Sequence, residues 1–198
     1  NIPIEELVTD PNIPVKGSNF GDLYRKNIKD YYAMISGIDE QFGKILDELD
    51  ASGLSNNTIV LFTSDHGDNM GIHNIRTKNN HFEESMVIPF IIRWPDKIKP
   101  RQDNLLLSTP DIYPTLIDLM GYKPDIPDDV EGISHASVFL TGSGFRPESQ
   151  LYMKIPPGDY ERRGVRTHQY TLMVPDPQDE ESEIELYDRI ADPFQLQN

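Results

Sequence analysis

A short apolar run, residues 58–63 with the sequence TIVLFT, constrains the fold of this chain most. It is apolar on both faces, rich in β-branched and aromatic side chains, and short, so it predicts a central strand in a sheet covered on both sides. Residues 87–94 form a second such run. Pro89 within it removes a backbone donor, so we place the start of that strand near Pro89. Covered strands of this kind indicate an α/β architecture.

The segments around these strands supply the helices. From about residue 22 to residue 51, apolar side chains recur every three or four positions and charged side chains fill the other face, which predicts an amphipathic helix docked on a core. Gly53 follows, where a left-handed cap is favoured. Residues 109–121 predict a second, shorter helix closed by Gly121. The apolar positions of the long helix are Tyr31, Ile35, Ile38, Phe42, Ile45 and Leu49.

The rest of the chain differs in composition and in its predicted elements. Residues 1–20 carry three prolines and predict an irregular lead-in, and residues 122–147 form a connector rich in Pro, Gly and Asp. Beyond it, short β-like runs alternate with turns, which predicts a small antiparallel sheet. We therefore divide the chain into an α/β part, residues 1–145, and a small antiparallel β subdomain, residues 146–198.

Composition argues against several classes of function. The net charge of −15 argues against a nucleic-acid partner, because phosphate binding needs clustered Lys and Arg. No apolar run approaches the length of a membrane span. The chain has no cysteine, which excludes disulfides, thiolate metal sites and a Cys nucleophile within it. It begins with neither a signal-peptide pattern nor an initiator Met, so we expect it to be processed or cut from something longer.

A polar segment, residues 64–85, joins the two predicted strands and holds three of the five histidines. Asp65 and His66 come directly after the first strand, at the sheet edge where ligands bind in open α/β sheets. Both side chains can reach one ion if the backbone turns at once, which Gly67 permits. A carboxylate suits a hard divalent cation and an imidazole suits zinc or manganese, so the pair predicts half of a metal site with the metal left open.

A purely structural interpretation of the same residues stays open at this point. Asp65 can cap the following turn and His66 can be an ordinary surface histidine, because short motifs match by chance. Lys78 can be a solvated lysine. His73 and His81 can each be structural or exposed.

Read together, the segments resemble the C-terminal half of a sulfatase of the alkaline phosphatase superfamily. The resemblance covers nearly all of the chain and rests on the collinear order of its pieces. It implies the C-terminal part of an alkaline-phosphatase-like α/β/α sandwich plus a small C-terminal antiparallel β subdomain. The pieces are the helix from Tyr31, the strand and Asp-His pair in 58–67, Gly71–His73, Lys78, residues 82–85, the strand in 87–95, the helix in 108–121, and residues 164–170 and 185–193.

The resemblance also implies roles for the polar residues. Asp65 and His66 would bind a divalent metal, usually calcium, although many relatives carry Asn where His66 stands. Lys78 would face the sulfate, and His73 would have a substrate-side role. In the family mechanism a hydrated formylglycine attacks sulfur and the alcohol leaves, while the metal and cationic side chains stabilise the sulfuryl oxygens. The expected substrate is a sulfated small molecule or glycan, and the family is commonly exported or lysosomal.

One departure from the family pattern stands out. The formylglycine arises from Cys or Ser in a Cys/Ser-x-Pro/Ala-x-Arg motif, and no residue here starts one; Ser108 is followed by Thr and Pro but then by Asp111 and Ile112. The family's first metal-binding aspartates should also lie upstream. We therefore expect a C-terminal segment of a larger sulfatase, inactive alone.

Two rival functions accompany the sulfatase interpretation. One is a phosphonate monoester hydrolase or phosphodiesterase of the same superfamily, which uses the same Asp-His pair. The other is a non-catalytic interaction module with no metal dependence and a fully covered apolar surface. The segment interpretation instead predicts exposed apolar strand edges, with self-association through them.

Overall fold

The computed structural model describes Gly17 and residues 19–75, 77–154, 161–178 and 182–198. The chain divides into two compact units. One comprises Asn1–Trp94 with Asp192–Gln197, and the other Pro95–Ala191 with Asn198. Most of the predicted irregular lead-in lies outside the described residues. No helix in the described part of the chain is both long and apolar enough for a bilayer crossing.

The first helix described in this unit is α1 (Asn19–Ala51), of 33 residues. At about 1.5 Å per residue it is about 50 Å long. Near its start, Tyr24 and Ile28 form a small core with Ile72. Further along, the Phe42 ring lies 5.0 Å from the ring of Phe62. The predicted amphipathic helix therefore forms and packs on its own unit at these two places.

The middle of the apolar face of α1 is exposed in the part of the chain that the structure describes. Ile35, Ile38 and Ile45, all on the predicted core-facing stripe, are 46%, 55% and 62% exposed. Monomeric proteins rarely expose contiguous apolar surface of this kind. Within the described ranges, the expectation that the whole stripe docks on a core is therefore wrong.

The two predicted strands form a two-stranded antiparallel sheet. Strand β1 (Val60–Thr63) pairs with β2 (Phe90–Arg93), with Val60 opposite Arg93 and Thr63 opposite Phe90. The second strand starts directly after Pro89, as its missing donor predicts. All four residues of β1 are half-buried, because β2 is the only strand paired with it among the described residues. A strand covered on both sides was predicted, and this part of the prediction is not met.

A one-turn helix, α2 (Glu83–Met86), precedes β2, and two further helices lie in the second unit. These are α3 (Thr109–Leu119) and α4 (Ala136–Thr141). The predicted helix over residues 109–121 is confirmed. At its start the Asp111 carboxylate accepts the Ser108 N–H at 2.9 Å, and at its end Gly121 has φ of 87°. Both are favoured helix-end arrangements.

A four-stranded antiparallel sheet, in the order β3-β4-β5-β6, completes the second unit. This confirms the predicted small antiparallel sheet. It starts at Ser149, whereas the compact units divide after Trp94, so the predicted division into residues 1–145 and 146–198 stays a prediction. The strands are β3 (Ser149–Lys154), β4 (Arg162–Thr167), β5 (Tyr170–Pro175) and β6 (Glu185–Asp188).

The two faces of this sheet differ. One face includes the buried residues Thr171, Met173 and Tyr187. The other face carries an apolar row in register across all four strands, with Leu151 opposite Val165, Val165 opposite Leu172, and Leu172 opposite Leu186. At the two ends of the row, Leu151 is 79% exposed and Leu186 is 50% exposed.

Candidate functional site

The site lies where β1 ends and the polar segment begins. Gly67, two residues past Asp65, donates its N–H to the carbonyl of Ser85 at 2.9 Å. A Cβ atom added to Gly67 would lie 1.9 Å from the carbonyl oxygen of Glu84, so only glycine fits against α2 here. Gly67 does not adopt a left-handed φ. The chain bends at Asp65, and close backbone approach is a further physical reason for the glycine.

Asp65 presents its carboxylate at the surface, with the side chain 82% exposed. Its Oδ1 accepts the backbone N–H of His66 at 3.0 Å and the hydroxyl of Ser64 at 3.3 Å. The pKa of Asp65 lies below its ordinary value. Desolvation is the largest single influence and would raise this pKa, but the electrostatic influence of the adjacent His66 ring, the N–H groups of Asp65 and His66 and the Ser64 hydroxyl together outweigh it. The carboxylate is thus ionised and accessible at neutral pH.

His66 is held in one orientation by its neighbour. Its Nδ1 lies 2.7 Å from the carbonyl oxygen of Gly67. A carbonyl can only accept, so Nδ1 carries a proton. A bond from the other ring nitrogen to a carbonyl oxygen commonly fixes the tautomer of a metal-binding histidine.

Lys78 meets this pair from the far end of the polar segment. Its Nζ lies 2.6 Å from Nε2 of His66 and donates to it, while Oδ2 of Asp65 lies 3.2 Å from the same ring nitrogen. The structure therefore brings Asp65, His66 and Lys78 together, as the sequence interpretation requires. Their roles as two metal ligands and a sulfate-facing cation stay predictions.

His73 lies in a different group of contacts. Its ring stacks on Phe82 with centroids 3.7 Å apart at 10°, and its Nε2 lies 3.5 Å from Oε2 of Glu84. The buried His81 also packs on Phe82, with 4.4 Å between the centroids of the two rings. The predicted substrate-side role of His73 stays a prediction.

The loop that carries Lys78 is shaped by residues that the sequence argument did not single out. The buried Asn80 donates to Oδ1 of the buried Asn69 at 2.7 Å, and the Asn69 N–H bonds the carbonyl of Thr77 at 2.9 Å. Nearby, His73 and Asn79 have left-handed φ values of 56° and 68°. Non-glycine residues in that region store strain that surrounding contacts must hold, which is common near functional sites. The density of Asn in this loop was the available signal, since Asn tolerates left-handed backbone.

The donors present fit half of a metal site. Oδ2 of Asp65 lies 3.2 Å from Nε2 of His66, and Nζ of Lys78 lies 2.6 Å from the same Nε2. Nowhere in the described ranges do three His, Asp or Glu side chains come together as a metal-binding group. A hard cation such as Ca²⁺ takes six to eight oxygen-type ligands, so further ligands would have to come from outside this set.

Comparison with known proteins identifies the class to which this fold and site belong. The profile of the sulfatase family matches residues 8–122, and that of the C-terminal region of N-sulphoglucosamine sulphohydrolase matches residues 71–198. An endo-4-O-sulfatase of Bacteroides thetaiotaomicron is 35% identical over 99% of this chain and 41% of its own length. An ulvan-active sulfatase of Formosa agariphila is 36% identical over 98% of this chain and 38% of its own length. The chain belongs to the sulfatase family.

Solved structures agree with this assignment. A Bacteroides fragilis protein, yidJ, crystallised as a candidate sulfatase, superposes with a TM-score of 0.93 at 41% identity, over 98% of this chain and 43% of its own. A structure holding its substrate, D-glucosamine-2-N,6-O-disulfate, gives 0.80 at 28% identity, over 88% and 36%. The phosphonate monoester hydrolase of Agrobacterium radiobacter gives 0.78 at 25% identity, over 92% and 39%. The predicted alkaline-phosphatase-like α/β class is confirmed, and the chain spans about two fifths of the curated relatives it matches.

Proposed function

We propose that this chain is the C-terminal part of a sulfatase that hydrolyses sulfate esters of glycans. Asp65 and His66 supply half of its metal site, and Lys78 supplies positive charge to the sulfate. One observation carries the proposal: at the end of β1, Nε2 of His66 lies 3.2 Å from a carboxylate oxygen of Asp65 and 2.6 Å from the side-chain nitrogen of Lys78.

Each residue has a distinct task in this proposal. Asp65, exposed and ionised, is open to an ion from solvent, and the Gly67 carbonyl holds the His66 ring with Nε2 outward. A divalent cation bound there, expected to be calcium, supplies Lewis-acid polarisation of the sulfuryl oxygens. Lys78 adds a compact positive charge, on a flexible side chain, beside the sulfuryl group.

The nucleophile is assigned to the part of the protein outside these residues. The chain has no cysteine and no Cys/Ser-x-Pro/Ala-x-Arg motif, so the expected formylglycine belongs elsewhere, and this chain alone is expected to be inactive. Ile38 and Ile45 in the middle of α1 are exposed, which supports the idea that further sequence packs on this face of the helix. In the absence of that sequence, we expect the same surfaces and the sheet edges to drive self-association.

Relatives support a sulfated glycan as the substrate class. The similar proteins include an endo-4-O-sulfatase, an ulvan-active sulfatase and an N-acetylglucosamine-6-O-sulfatase, and one similar structure holds a disulfated glucosamine. The likeness to a phosphonate monoester hydrolase favours a second candidate, hydrolysis of phosphonate or phosphate esters at the same pair. The uncovered apolar surface argues against a stand-alone, non-catalytic module.

A hydrolysis assay tests this proposal. The 198-residue chain and the full-length product should be compared on an aryl sulfate and on an aryl phosphonate monoester. We expect turnover of the sulfate by the full-length protein only, with a loss of about 100-fold or more in Asp65→Ala and His66→Ala. Asp39→Ala, which removes an exposed acid from α1, is the matched control.

Three results contradict parts of the proposal. Turnover by the 198-residue chain refutes the assignment of the nucleophile elsewhere. Full activity in Asp65→Ala contradicts the proposal that Asp65 supplies part of a metal site. A phosphonate monoester hydrolysed faster than the sulfate favours the second candidate.

A further inference from the structure

The C-terminal segment of the chain contacts the one-turn helix on which the site loop rests. Residues Asp192–Gln197 belong to the first compact unit, although they follow the last strand of the second. Gln195 is buried, with 2% of its surface exposed. Its Oε1 accepts the backbone N–H of Glu83, the first residue of α2, at 2.8 Å. A side chain 112 positions away in the sequence therefore supplies an acceptor at the start of α2.

Asp192 holds this segment in the shape that brings Gln195 to α2. Oδ2 of Asp192 accepts the N–H groups of Leu196 and Gln197, at 2.6 and 2.8 Å. The carbonyl of Asp192 accepts the N–H of Gln195 at 3.1 Å. Gln195 itself has a left-handed φ of 50°. A non-glycine residue with such a φ is strained and persists only where surrounding contacts hold it, so the segment is built around the placement of this side chain.

The start of α2 has few ways of holding itself in place. The helix has only four residues, and Phe82, which precedes it, has no polar side-chain group to cap it. The first N–H groups of any helix have no partner within the helix, and helices this short are not stable by themselves in water. The position of α2 therefore depends on bonds from elsewhere in the unit, such as the one from Gln195.

α2 in turn holds the loop that carries His66. The carbonyl of Ser85 accepts the Gly67 N–H at 2.9 Å, and the Gly67 backbone lies against the Glu84 carbonyl without room for a Cβ atom. The carbonyl of Gly67 lies 2.7 Å from Nδ1 of His66. Three hydrogen bonds and one helical turn thus connect the Gln195 amide to the His66 ring.

We propose that Gln195 is a positioning residue for the site: it fixes α2, and α2 fixes the Gly67 backbone and the orientation of the His66 ring. The importance of that orientation rests on the proposed function, whereas the link from Gln195 to the ring is a property of the fold. The close Gly67–Glu84 contact transmits a displacement of α2 directly to the loop. Functional groups must be held within about 0.5 Å of their working positions, so even a small displacement matters.

A purely structural role for Gln195 predicts different behaviour. If its bond to Glu83 only anchors the C-terminal segment, losing the bond loosens that segment and the Glu83 amide and leaves Gly67 and His66 unchanged. If the bond only adds to overall stability, amides throughout the unit exchange faster together. The Gly67 amide and the His66 ring are therefore the deciding observables.

The first test is NMR on the 198-residue chain at neutral pH. Gln195→Met removes the acceptor but keeps an unbranched side chain of similar length, and Gln195→Glu keeps an acceptor oxygen. Gln169→Met is the matched control, because the Gln169 amide also makes a 2.8 Å bond, to Asp188 within the second unit. The measurements are hydrogen exchange at the Glu83 and Gly67 amides and the ¹⁵N shift of His66 Nδ1.

In Gln195→Met we expect exchange at the Glu83 and Gly67 amides to be roughly two- to tenfold faster, as for the loss of one net hydrogen bond. Exchange at amides around Phe42 in α1 should not change. The Nδ1 shift of His66 should move in Gln195→Met and return toward its unaltered value in Gln195→Glu. Gln169→Met should match the unaltered chain in all of these measurements.

The second test measures kcat and KM of the full-length protein on an aryl sulfate. Removing a direct partner of a metal-binding histidine typically costs about 10–100-fold in activity or metal affinity. Gln195 acts one step further away, so Gln195→Met should lower kcat/KM by roughly three- to tenfold. Gln195→Glu should recover most of that loss, and Gln169→Met should show none.

The outcomes separate this inference from the proposed function. Faster exchange at Glu83 without Gly67, or equally fast exchange throughout the unit, overturns the inference. An unmoved Nδ1 shift, or full activity in Gln195→Met, overturns it as well. If the full-length protein does not hydrolyse the sulfate, the proposed function fails, and the NMR measurements alone decide whether Gln195 positions His66.

Discussion

Replacing Gly67 by alanine tests how closely the site loop rests on α2. The new Cβ would lie 1.9 Å from the Glu84 carbonyl oxygen, whereas carbon–oxygen contacts in proteins are about 3.3–3.6 Å. The loop and α2 must therefore separate by about 1.4 Å or more. Such a shift exceeds the roughly 0.5 Å within which a functional site must be held, and it carries His66 with it.

The cost of this separation follows from the contacts. Overpacking costs about 1–3 kcal/mol, and the stretched bond from Gly67 N–H to Ser85 O, now 2.9 Å, adds about 1 kcal/mol. The lower conformational entropy of the unfolded alanine variant offsets about 0.4–1 kcal/mol of this loss of stability. We expect Gly67→Ala to lower the free energy of unfolding by about 2–3 kcal/mol.

The assay is urea unfolding followed by tryptophan fluorescence. Trp94 is the single tryptophan, and its Nε1–H bonds the Asn56 carbonyl at 3.0 Å within the same compact unit, so it reports the unit that holds the site. With a slope of about 2 kcal/mol per molar urea, the midpoint should fall by about 1 M. Gly37→Ala, in α1 with nothing within 4 Å of the new Cβ, should instead stabilise by about 0.5–1 kcal/mol. Equal midpoints for Gly67→Ala and the unaltered chain would refute the close approach.

Two further predictions concern the second unit. Asp111→Ala removes the acceptors of the Ser108 and Ile133 N–H groups, which lie at 2.9 and 3.0 Å. The free energy of unfolding should fall by about 2 kcal/mol, and hydrogen exchange at both amides should become faster. Arg146→Ala removes two hydrogen bonds, at 2.7 and 3.0 Å, that hold the pKa of Asp103 well below its usual range. The stability that this pair contributes is present above the ordinary carboxyl pKa of about 3.9 and is lost as pH falls through the depressed pKa. Arg146→Ala should therefore be less stable than the unaltered chain by up to about 1 kcal/mol at pH 7. The free energies of unfolding of the two proteins should converge between about pH 5 and 2.

Each of these predictions has a matched control. Asp129→Ala removes an exposed acid from the same unit and should leave exchange at Ser108 unchanged. Exchange in Asp111→Ala equal to that in the unaltered chain would contradict the capping role. Arg146→Lys keeps the charge but not the paired geometry, so it should recover only part of the stability. A stability difference for Arg146→Ala that does not change on acidification would contradict the ion-pair argument.

Local patterns predicted the elements well because local physics forms them. The spacing of apolar side chains predicted α1, the Ser108–Asp111 pair marks the start of α3, and Pro89 predicted where β2 begins. The order of the motifs was enough to identify the sulfatase fold. Asp65 and His66 could be singled out because strand ends in α/β sheets collect ligands.

Other features depended on contacts between distant residues. No sequence rule gave the antiparallel pairing of β1 with β2, the place of His73 against Phe82 and Glu84, or the exposed middle of α1. The close approach of the Glu84 carbonyl to Gly67 likewise could not be predicted from the sequence.

The sequence by itself determined which segments become helix or strand and that an acid and an imidazole follow β1, since propensity, periodicity and capping act over a few residues. Only the tertiary structure decided that Lys78, twelve residues along from His66, donates to its Nε2. That contact depends on how the Asn69–Asn80 bond folds the intervening loop, and a bond between two buried side chains is set by the packing around them rather than by their spacing.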